Sequence, residues 1–265
     1  MEALLRLGVS LAILLLMVSW EFFTPLRAAQ QTRRKRWPVN LGLAGFNMLL
    51  MRFSLGSAAW LAAQWAVEQK AGLFNSWPMS AAISIPASLL LLDLAIYAQH
   101  IAAHRWSWFW RLHQVHHSDL DFDTTTAVRF HPLEIMVSMF YKVVVVILLG
   151  VAPDTVMAFE IILNGCALFN HGNVSLSPRL ESVLRYVLIT PDLHRIHHSA
   201  SLEEMDSNYG FSLSCWDRIF RTYRPKARQP QATLTLGLRG LENPAELGFG
   251  KLLVLPFGAE KNRSR

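Results

Sequence analysis

Apolar stretches without formal charge dominate the first two thirds of the chain. The clearest of them run from Leu7 to Trp20, from Trp37 to Met51, from Phe53 to Val67, from Trp77 to Leu92 and from Val143 to Pro153. A membrane-spanning α-helix needs about 20 mostly apolar residues, with a range of about 17 to 25. The pattern therefore predicts an all-α protein with four or five transmembrane helices, at residues 4–26, 38–66, 78–100, 134–152 and 154–171.

Single charges fall inside several of these segments, and Arg52 fits a continuous span least well. A charged side chain near the centre of a bilayer is costly unless it faces protein or water. Residues 38–66 are therefore expected either to span once or to break near Arg52 into two shorter re-entrant helices. The last two segments are separated by Ala152, Pro153 and Asp154, which is typical of a tight helical hairpin.

Basic residues indicate the orientation of the spans. Arg27 and the run from Arg33 to Arg36 follow the first span, whereas the loop after the second span offers Lys70 alone. Thirteen further Lys and Arg residues lie after position 171. Because loops rich in Lys and Arg stay in the cytoplasm, the sequence predicts a multi-pass protein with these regions on the cytoplasmic side.

The composition agrees with a membrane protein. Hydrophobic residues make up 52% of the 265 residues, charged residues make up 17%, and the mean hydropathy is +0.26. Two cysteines without a Cys-x-x-Cys motif exclude a disulfide framework and a cysteine-based zinc or haem site. The net charge of +6 follows from the topology, so nucleic acid is not expected as a partner.

Histidine carries the main chemical signal. All ten histidines lie between residues 100 and 198, as His-x3-His, two copies of His-x2-His-His and two single residues. On an α-helix, a spacing of four residues returns to within about 40° of the same face, and His-x2-His-His keeps three imidazoles within an arc of about 100°. We expect each group to aim at one point, and the hairpin to bring all groups together just outside the hydrocarbon.

This many imidazoles predicts a dinuclear metal centre. They are too many for one tetrahedral zinc ion, but they can supply two octahedral ions and leave positions for oxygen or water. We therefore predict two iron ions. The predicted ligands are His100, His104, His113, His116, His117, His171, His194, His197 and His198. The alternative is a structural or transport protein that binds zinc or another metal without enzymatic activity.

Two further residues have predicted supporting roles. His131 is expected to be either a tenth ligand or a neighbour that supports the ligands, because a His-Pro step can also cap or orient a loop. Asp93 precedes His100 by two helical turns on the same face. It could orient a ligand imidazole, or it could make a buried polar contact with Arg52 or Lys142.

The histidine motifs and their surroundings resemble the membrane fatty acid hydroxylase and sterol desaturase superfamily over roughly residues 85 to 224. The segments that carry the resemblance are Asp93 to His104, His116 to Ser118, Arg129 to Pro132, Thr190 to His198, Asn208 to Gly210 and Trp216 to Tyr223. One departure is Arg221, where the family more often has Gly. On this basis we divide the chain into an N-terminal transmembrane region at 1–76, a catalytic domain at 77–224 and a C-terminal cytoplasmic tail at 225–265.

The resemblance implies a non-haem di-iron enzyme that uses O₂ as co-substrate and two electrons to hydroxylate a C–H position of a lipid. The same site could instead desaturate a lipid. The chain carries no haem-binding segment, dinucleotide motif or iron–sulfur cysteine set, so electrons are expected from an external ferredoxin- or cytochrome-like protein. The basic run from Arg218 to Arg228 is predicted to bind either that donor or anionic lipid head groups.

Overall fold

A computed structural model describes residues 2–55, 57–77 and 79–258 as an all-helical protein. Short 3-10 turns and two isolated β-bridges connect the helices within these ranges. The helices are α1 (Glu2–Phe23), α2 (Arg33–Phe53), α3 (Ala58–Glu68), α4 (Leu73–Ser76), α5 (Ala81–Arg105), α6 (Ser107–His117), α7 (Pro132–Leu149), α8 (Pro153–Asn170), α9 (Pro178–Leu184), α10 (Pro191–His197), α11 (Leu202–Met205), α12 (Cys215–Ile219) and α13 (Phe249–Val254).

Three helices of the described ranges are long and apolar enough to cross a membrane, namely α1, α5 and α7. They correspond to the predicted spans at 4–26, 78–100 and 134–152. The expected number of four or five spans therefore exceeds the number that qualifies by length and composition. The difference lies in the segments 38–66 and 154–171.

Residues 38–66 form two helices, because α2 ends at Phe53, directly after Arg52, and α3 begins at Ala58. The buried face of α2 carries Arg36, Asn40, Leu43 and Asn47 at intervals of three or four residues, and three of these four side chains are polar. A helix with such a face packs against polar protein rather than lipid. The break near Arg52 is therefore the alternative that the structure favours.

A turn joins α7 to α8 within residues 134–171, as predicted, but of the two helices only α7 qualifies as a candidate membrane span among the described residues. Gly150 ends α7 in the left-handed conformation at φ 68°, and Pro153 starts α8 at its first turn. The α8 helix returns beside α1, α3 and α5. Its Glu160 pairs with Lys142 of α7 at 3.0 Å and also with Arg6 of α1. Because protein covers α8 on several sides, it needs fewer apolar residues than a lipid-facing helix.

A hydrophobic core joins α2 and α6 to the C-terminal segment. Leu43 of α2, Trp110 and Val115 of α6, and Leu238 and Leu252 of the C-terminal segment pack together and are almost fully buried. The C-terminal segment is thus folded against the protein as far as the 3-10 turn Leu255–Phe257. The last part of the predicted C-terminal tail at 225–265, residues 259–265, lies outside the described residues.

Candidate metal centre

Four places in the fold carry the predicted ligands. They are the end of α5 with His100 and His104, α6 with His113, His116 and His117, the residue after α8, His171, and α10 with His194, His197 and the following His198. All nine side chains are buried, with at most 6% of the residue surface exposed. The structure therefore brings together every residue that the sequence proposes as a ligand.

Local sequence explains how these helices converge. The chain turns sharply at Trp106, which ends α5 and starts α6. The two helices then face each other, so that the His104 and His117 rings lie 4.7 Å apart. In α10, Pro191 occupies the first turn and the Thr190 hydroxyl accepts a hydrogen bond from the Leu193 amide at 3.4 Å. These are common helix-start signals, and they fix where α10 begins.

The imidazoles form two separate groups rather than one. In each group, one candidate ligand atom of every member lies within 4.8 Å of those of all the others. One group holds His100, His104, His113, His117 and His197, and the other holds His116, His171, His194 and His198. Adjacent residues such as His116 and His117 belong to different groups. The expectation that each motif aims at one point is therefore wrong, because consecutive residues of a helix point about 100° apart.

The spacing of the nitrogens fits metal ions with 90° ligand angles. The Nε2 atoms are 3.1 Å apart in His104 and His117, 3.1 Å in His100 and His197, 3.1 Å in His116 and His171, and 3.0 Å in His171 and His194. With metal–nitrogen bonds of about 2.1 Å, ligands at 90° are about 3.0 Å apart and ligands at the tetrahedral angle about 3.4 Å apart. The donor set therefore suits octahedral ions better than tetrahedral zinc.

Backbone carbonyl groups accept hydrogen bonds from the Nδ1 atoms of several of these rings. The Nδ1 atoms of His100, His171 and His197 lie 2.7 to 2.8 Å from the carbonyl oxygens of Tyr209, Ala167 and Ser207. A carbonyl oxygen can only accept, so each Nδ1 carries the proton and each Nε2 presents a lone pair to its group. This arrangement is common for metal-binding histidines.

His113 is held by a carboxylate, which the sequence analysis did not identify. Its Nδ1 lies 2.6 Å from Oε1 of Glu134, and both side chains are buried. Its Nε2 has no hydrogen-bond partner among the described residues and belongs to the five-histidine group. A signal was present in the sequence, since Glu134 lies three residues after His131 in the first turn of a predicted span, where a carboxylate needs a partner.

Burial keeps the imidazoles neutral, which is the form that binds metal. Removal from water lowers the pKa of His171 to about 4 and that of His197 to about 3. Burial, followed by repulsion from the other imidazoles, lowers the pKa of His116, His194 and His198 well below the usual value. A buried cluster of neutral nitrogen donors can therefore accept cations at neutral pH without first losing protons.

His131 and Asp93 lie outside both groups. The Nδ1 of His131 accepts a hydrogen bond from the Leu133 amide at 3.2 Å and caps α7, while its Nε2 donates to the Leu253 carbonyl at 3.1 Å. Both ring nitrogens are thus engaged in capping α7 and contacting the C-terminal segment, which argues against a tenth ligand. Oδ2 of Asp93 accepts a hydrogen bond from Trp216 Nε1 at 2.8 Å. Neither Arg52, Lys142 nor an imidazole is a hydrogen-bond partner of Asp93 among the described residues.

The segment after His117 is anchored to α2 by buried charges. Arg36 bonds to Asp119 at 2.7 Å and to both carboxylate oxygens of Asp123. Arg129 donates to Ser118 Oγ at 2.9 Å and to the Val115 carbonyl at 3.0 Å. Burial alone would raise the pKa of Asp119, but the Arg36 and Arg129 guanidinium groups outweigh it and lower the pKa to about 2. The network holds the end of α6 in place.

A second anchor lies behind His100. The carboxylate of Asp217 accepts hydrogen bonds from the amides of Tyr209 and Gly210, both at 2.8 Å, and from the Thr222 hydroxyl at 2.6 Å. A side chain at Gly210 would lie 2.7 Å from the Leu213 carbonyl oxygen, so only glycine fits. The Asn208 to Gly210 and Trp216 to Tyr223 segments therefore act together to position the carbonyl that holds His100.

Comparisons with known proteins agree with this site. A family model described as fatty acid hydroxylase matches residues 85–222, which include both histidine groups. The chain is 27% identical over 183 residues to ornithine lipid hydroxylase OlsE of Rhizobium tropici, covering 69% of this chain and 52% of that protein. It is 31% identical over 173 residues to human alkylglycerol monooxygenase, covering 64% of this chain and 37% of the relative.

A second alkylglycerol monooxygenase, that of Xenopus tropicalis, is 34% identical over 152 residues, covering 56% of this chain and 32% of the relative. The matched part therefore spans about half or less of the length of these relatives. No solved structure shows a significant match to this chain.

Proposed function

Because the chain belongs to the fatty acid hydroxylase family, we propose that it is a membrane-bound, O₂-dependent di-iron enzyme that hydroxylates a C–H position of a lipid. The observation that carries the proposal is the pair of buried imidazole groups, with five and four members. Imidazole suits iron. On octahedral ions, five ligands would leave one position and four would leave two, which gives room for oxygen.

The residues around the groups have defined tasks in this proposal. Bound at these imidazoles, two iron ions supply the redox chemistry that activates O₂ and breaks the C–H bond. The carbonyls of Tyr209, Ala167 and Ser207 fix the tautomer and orientation of three rings. Glu134 does the same for His113 and adds negative charge beside the cations. Burial of all nine rings excludes bulk water from the centre.

Hydroxylation is favoured over desaturation by the comparisons. The relatives are named as a hydroxylase and as monooxygenases, and their names refer to ornithine lipid and alkylglycerol. We infer that the substrate is a polar lipid that reaches the site from the bilayer. The two electrons are proposed to come from an external electron-transfer protein, because the sequence carries no redox motif besides the histidines.

Turnover in a defined membrane tests this proposal. The protein in lipid nanodiscs, loaded with iron and given O₂ and a reductant, is expected to yield a lipid that is one oxygen atom heavier by mass spectrometry. His116→Ala and His197→Ala, one from each group, are expected to abolish the product. His131→Asn is the matched control, because Asn keeps a helix cap and leaves both groups intact.

Three results would contradict it. A metal-loaded protein without any oxidised lipid would favour the non-enzymatic metal-binding alternative. A lipid that has only lost two hydrogens would identify a desaturase. Full activity in His197→Ala would show that the five-histidine group is not part of the catalytic centre.

We also propose that the centre faces the cytoplasm. A cysteine at Ser76, which is exposed at the end of α4, is expected to react with an impermeant thiol reagent added outside intact cells. A cysteine at Ala232, which is exposed on the histidine side of the protein, is expected to react only after lysis. The opposite pattern would invert the orientation.

A further inference from the structure

An exposed apolar surface lies on the histidine-rich region, formed by α9 and its following turn together with the end of α12. Its members are Val183, Tyr186, Val187, Ile219 and Phe220, whose exposed fractions range from 53% to 73%. We call these five residues the α9–α12 surface. Large apolar side chains clustered in contact with water usually mark an interaction site.

The two segments form one fixed surface. The Ser214 hydroxyl donates to the Arg185 carbonyl at 2.7 Å, and the Ser214 amide donates to the Val187 carbonyl at 3.0 Å. Arg218 donates to the same Arg185 carbonyl at 2.7 Å, and its guanidinium carbon lies 5.4 Å from the centre of the Tyr186 ring. These bonds join the end of α9 to α12 independently of any partner.

The contact of this surface with α5 indicates the level of the surface relative to the bilayer. The Phe220 ring stacks on Tyr97 of α5 with 5.4 Å between ring centres, and Trp216 of α12 bonds to Asp93. Tyr97 lies about 12 Å along the helix axis from Arg105, the end of this candidate span. It therefore lies on the membrane side of His100. The α9–α12 surface reaches the level at which α5 enters the bilayer.

Charges beside the surface fit an anionic partner. Arg179 and Arg221 are exposed and form no ion pair with the described residues. Glu181, the acid of α9, is already paired with Arg185 at 2.8 Å. Arg224 and Arg228, in contrast, approach Glu203 and are partly neutralised. Of the basic run, Arg221 and Lys226 are exposed without an ion pair among the described residues, and Arg221 directly follows the apolar residue Phe220.

Arg221 is also held in a strained conformation. Its φ of 61° lies in the left-handed region, which is unfavourable for a residue with a side chain and favours glycine. A strained non-glycine residue points to a use for its side chain. Here the side chain adds an exposed positive charge one residue after Phe220.

We propose that the α9–α12 surface is embedded in the head-group region of an anionic bilayer. Its aliphatic and aromatic side chains enter the boundary of the acyl chains, while Arg179 and Arg221 contact lipid phosphates. An in-plane amphipathic surface of this kind combines apolar burial with attraction to anionic lipid. The surface holds the metal centre against the membrane, and it uses the Arg221 end of the basic run for lipid rather than for an electron donor.

Fluorescence quenching tests the position of the surface. Cys166 and Cys215 are replaced by Ser, and a single cysteine at Val183 or Ile219 carries an environment-sensitive NBD dye. In nanodiscs that contain phosphatidylglycerol and spin-labelled lipid, both positions are expected to show blue-shifted emission and strong quenching. The same dye at Ala232 is expected to show neither.

The control position is well defined. Ala232 is exposed and follows Gln231, whose carbonyl accepts a hydrogen bond from Arg27, four residues beyond the end of α1. Equal quenching at all three positions, or none at Val183 and Ile219, would overturn the proposal. Unquenched dye together with disulfide cross-linking through Val183→Cys between two chains would identify a second copy as the occupant and would also overturn it.

A charge test separates head-group binding from simple apolar burial. Arg179→Glu combined with Arg221→Gly removes both free charges and relieves the strained residue. Quenching of the dye at Ile219 is expected to fall towards that of the control in phosphatidylglycerol nanodiscs, and to stay unchanged in neutral phosphatidylcholine nanodiscs. An equal change in both membranes would refute the role of the two arginines. An unchanged iron content in each variant would show that the substitutions leave the fold of the metal centre intact.

Discussion

Removal of the Glu134 carboxylate provides a direct test of how the five-histidine group is organised. Glu134 lies 2.6 Å from His113 Nδ1, and neither residue reaches water. Glu134→Ala would leave the Nδ1–H of His113 buried without an acceptor and would free the ring to rotate. A buried donor without a partner costs about 1–3 kcal/mol, and loss of a hydrogen bond to a charged group costs about 1.5–3 kcal/mol.

These costs convert into a measurable loss of metal affinity. Since about 1.4 kcal/mol equals a factor of ten, 1.5–3 kcal/mol corresponds to roughly a tenfold to 150-fold weaker site. Loss of an outer hydrogen-bond partner of a metal-binding histidine typically costs 10–100-fold. Glu134→Gln, which keeps an acceptor but no charge, is expected to fall between Glu134→Ala and the unaltered protein.

Competition with a chelator measures the effect. Iron retained by each variant is followed against rising chelator, and only the five-histidine group is expected to weaken, so about one ion of two is lost early. Glu203→Ala is the matched control, because Glu203 pairs with Arg228 on the surface, where such pairs contribute about 0–1 kcal/mol. An affinity in Glu134→Ala within about twofold of that of the control would refute the positioning role.

Three further predictions follow from the site. His117→Ala and His198→Ala are each expected to lower the iron content from about two ions to about one, because these residues belong to different groups; loss of the same ion from both variants would contradict the grouping. In urea unfolding, the metal-free protein is expected to lose stability as the pH falls from about 6.5 towards 4. Burial lowers the folded-state pKa of His171 to about 4 and that of His197 to about 3, so the unfolded chain takes up protons at a higher pH than the folded chain does. A free energy of unfolding that stays constant over this pH range would contradict the prediction. Arg36→Met is expected to destabilise the protein by about 3–5 kcal/mol in the same assay, because it leaves Asp123 buried without its cation and Asp119 with Arg129 alone, and a change below about 1 kcal/mol would show that water replaces the arginine.

The nine candidate ligands could be predicted from the sequence because the chemistry of the site depends on residue type and helical spacing alone. Their division into two groups could not be predicted so easily. Helix geometry makes His116 and His117 point in different directions, but the imidazoles that each one meets depend on the positions of α5, α8 and α10.

For the membrane spans, the sequence predicted more than the described residues contain. Hydropathy identifies α1, α5 and α7, which are long and apolar enough to cross a membrane and are mostly exposed along their length. It overestimates α2, because the polar residues Arg36, Asn40 and Asn47 are dispersed at helical spacing among apolar ones, and an average over the segment conceals the face they share. Partners distant in sequence, such as Glu134 for His113 or Trp216 for Asp93, have no local signal that links them.

Each imidazole group combines residues at the end of a long helix, α5 or α8, with residues of the shorter helices α6 and α10. The five-member group joins α5 to α6 and α10, and the four-member group joins α8 to the same two helices. Two bound ions would therefore link the ends of α5 and α8 to the shorter helices α6 and α10 at two separate points. Metal binding would therefore add to the packing that already holds the short helices on α5 and α8, so that the iron-loaded protein would resist unfolding more than the metal-free protein.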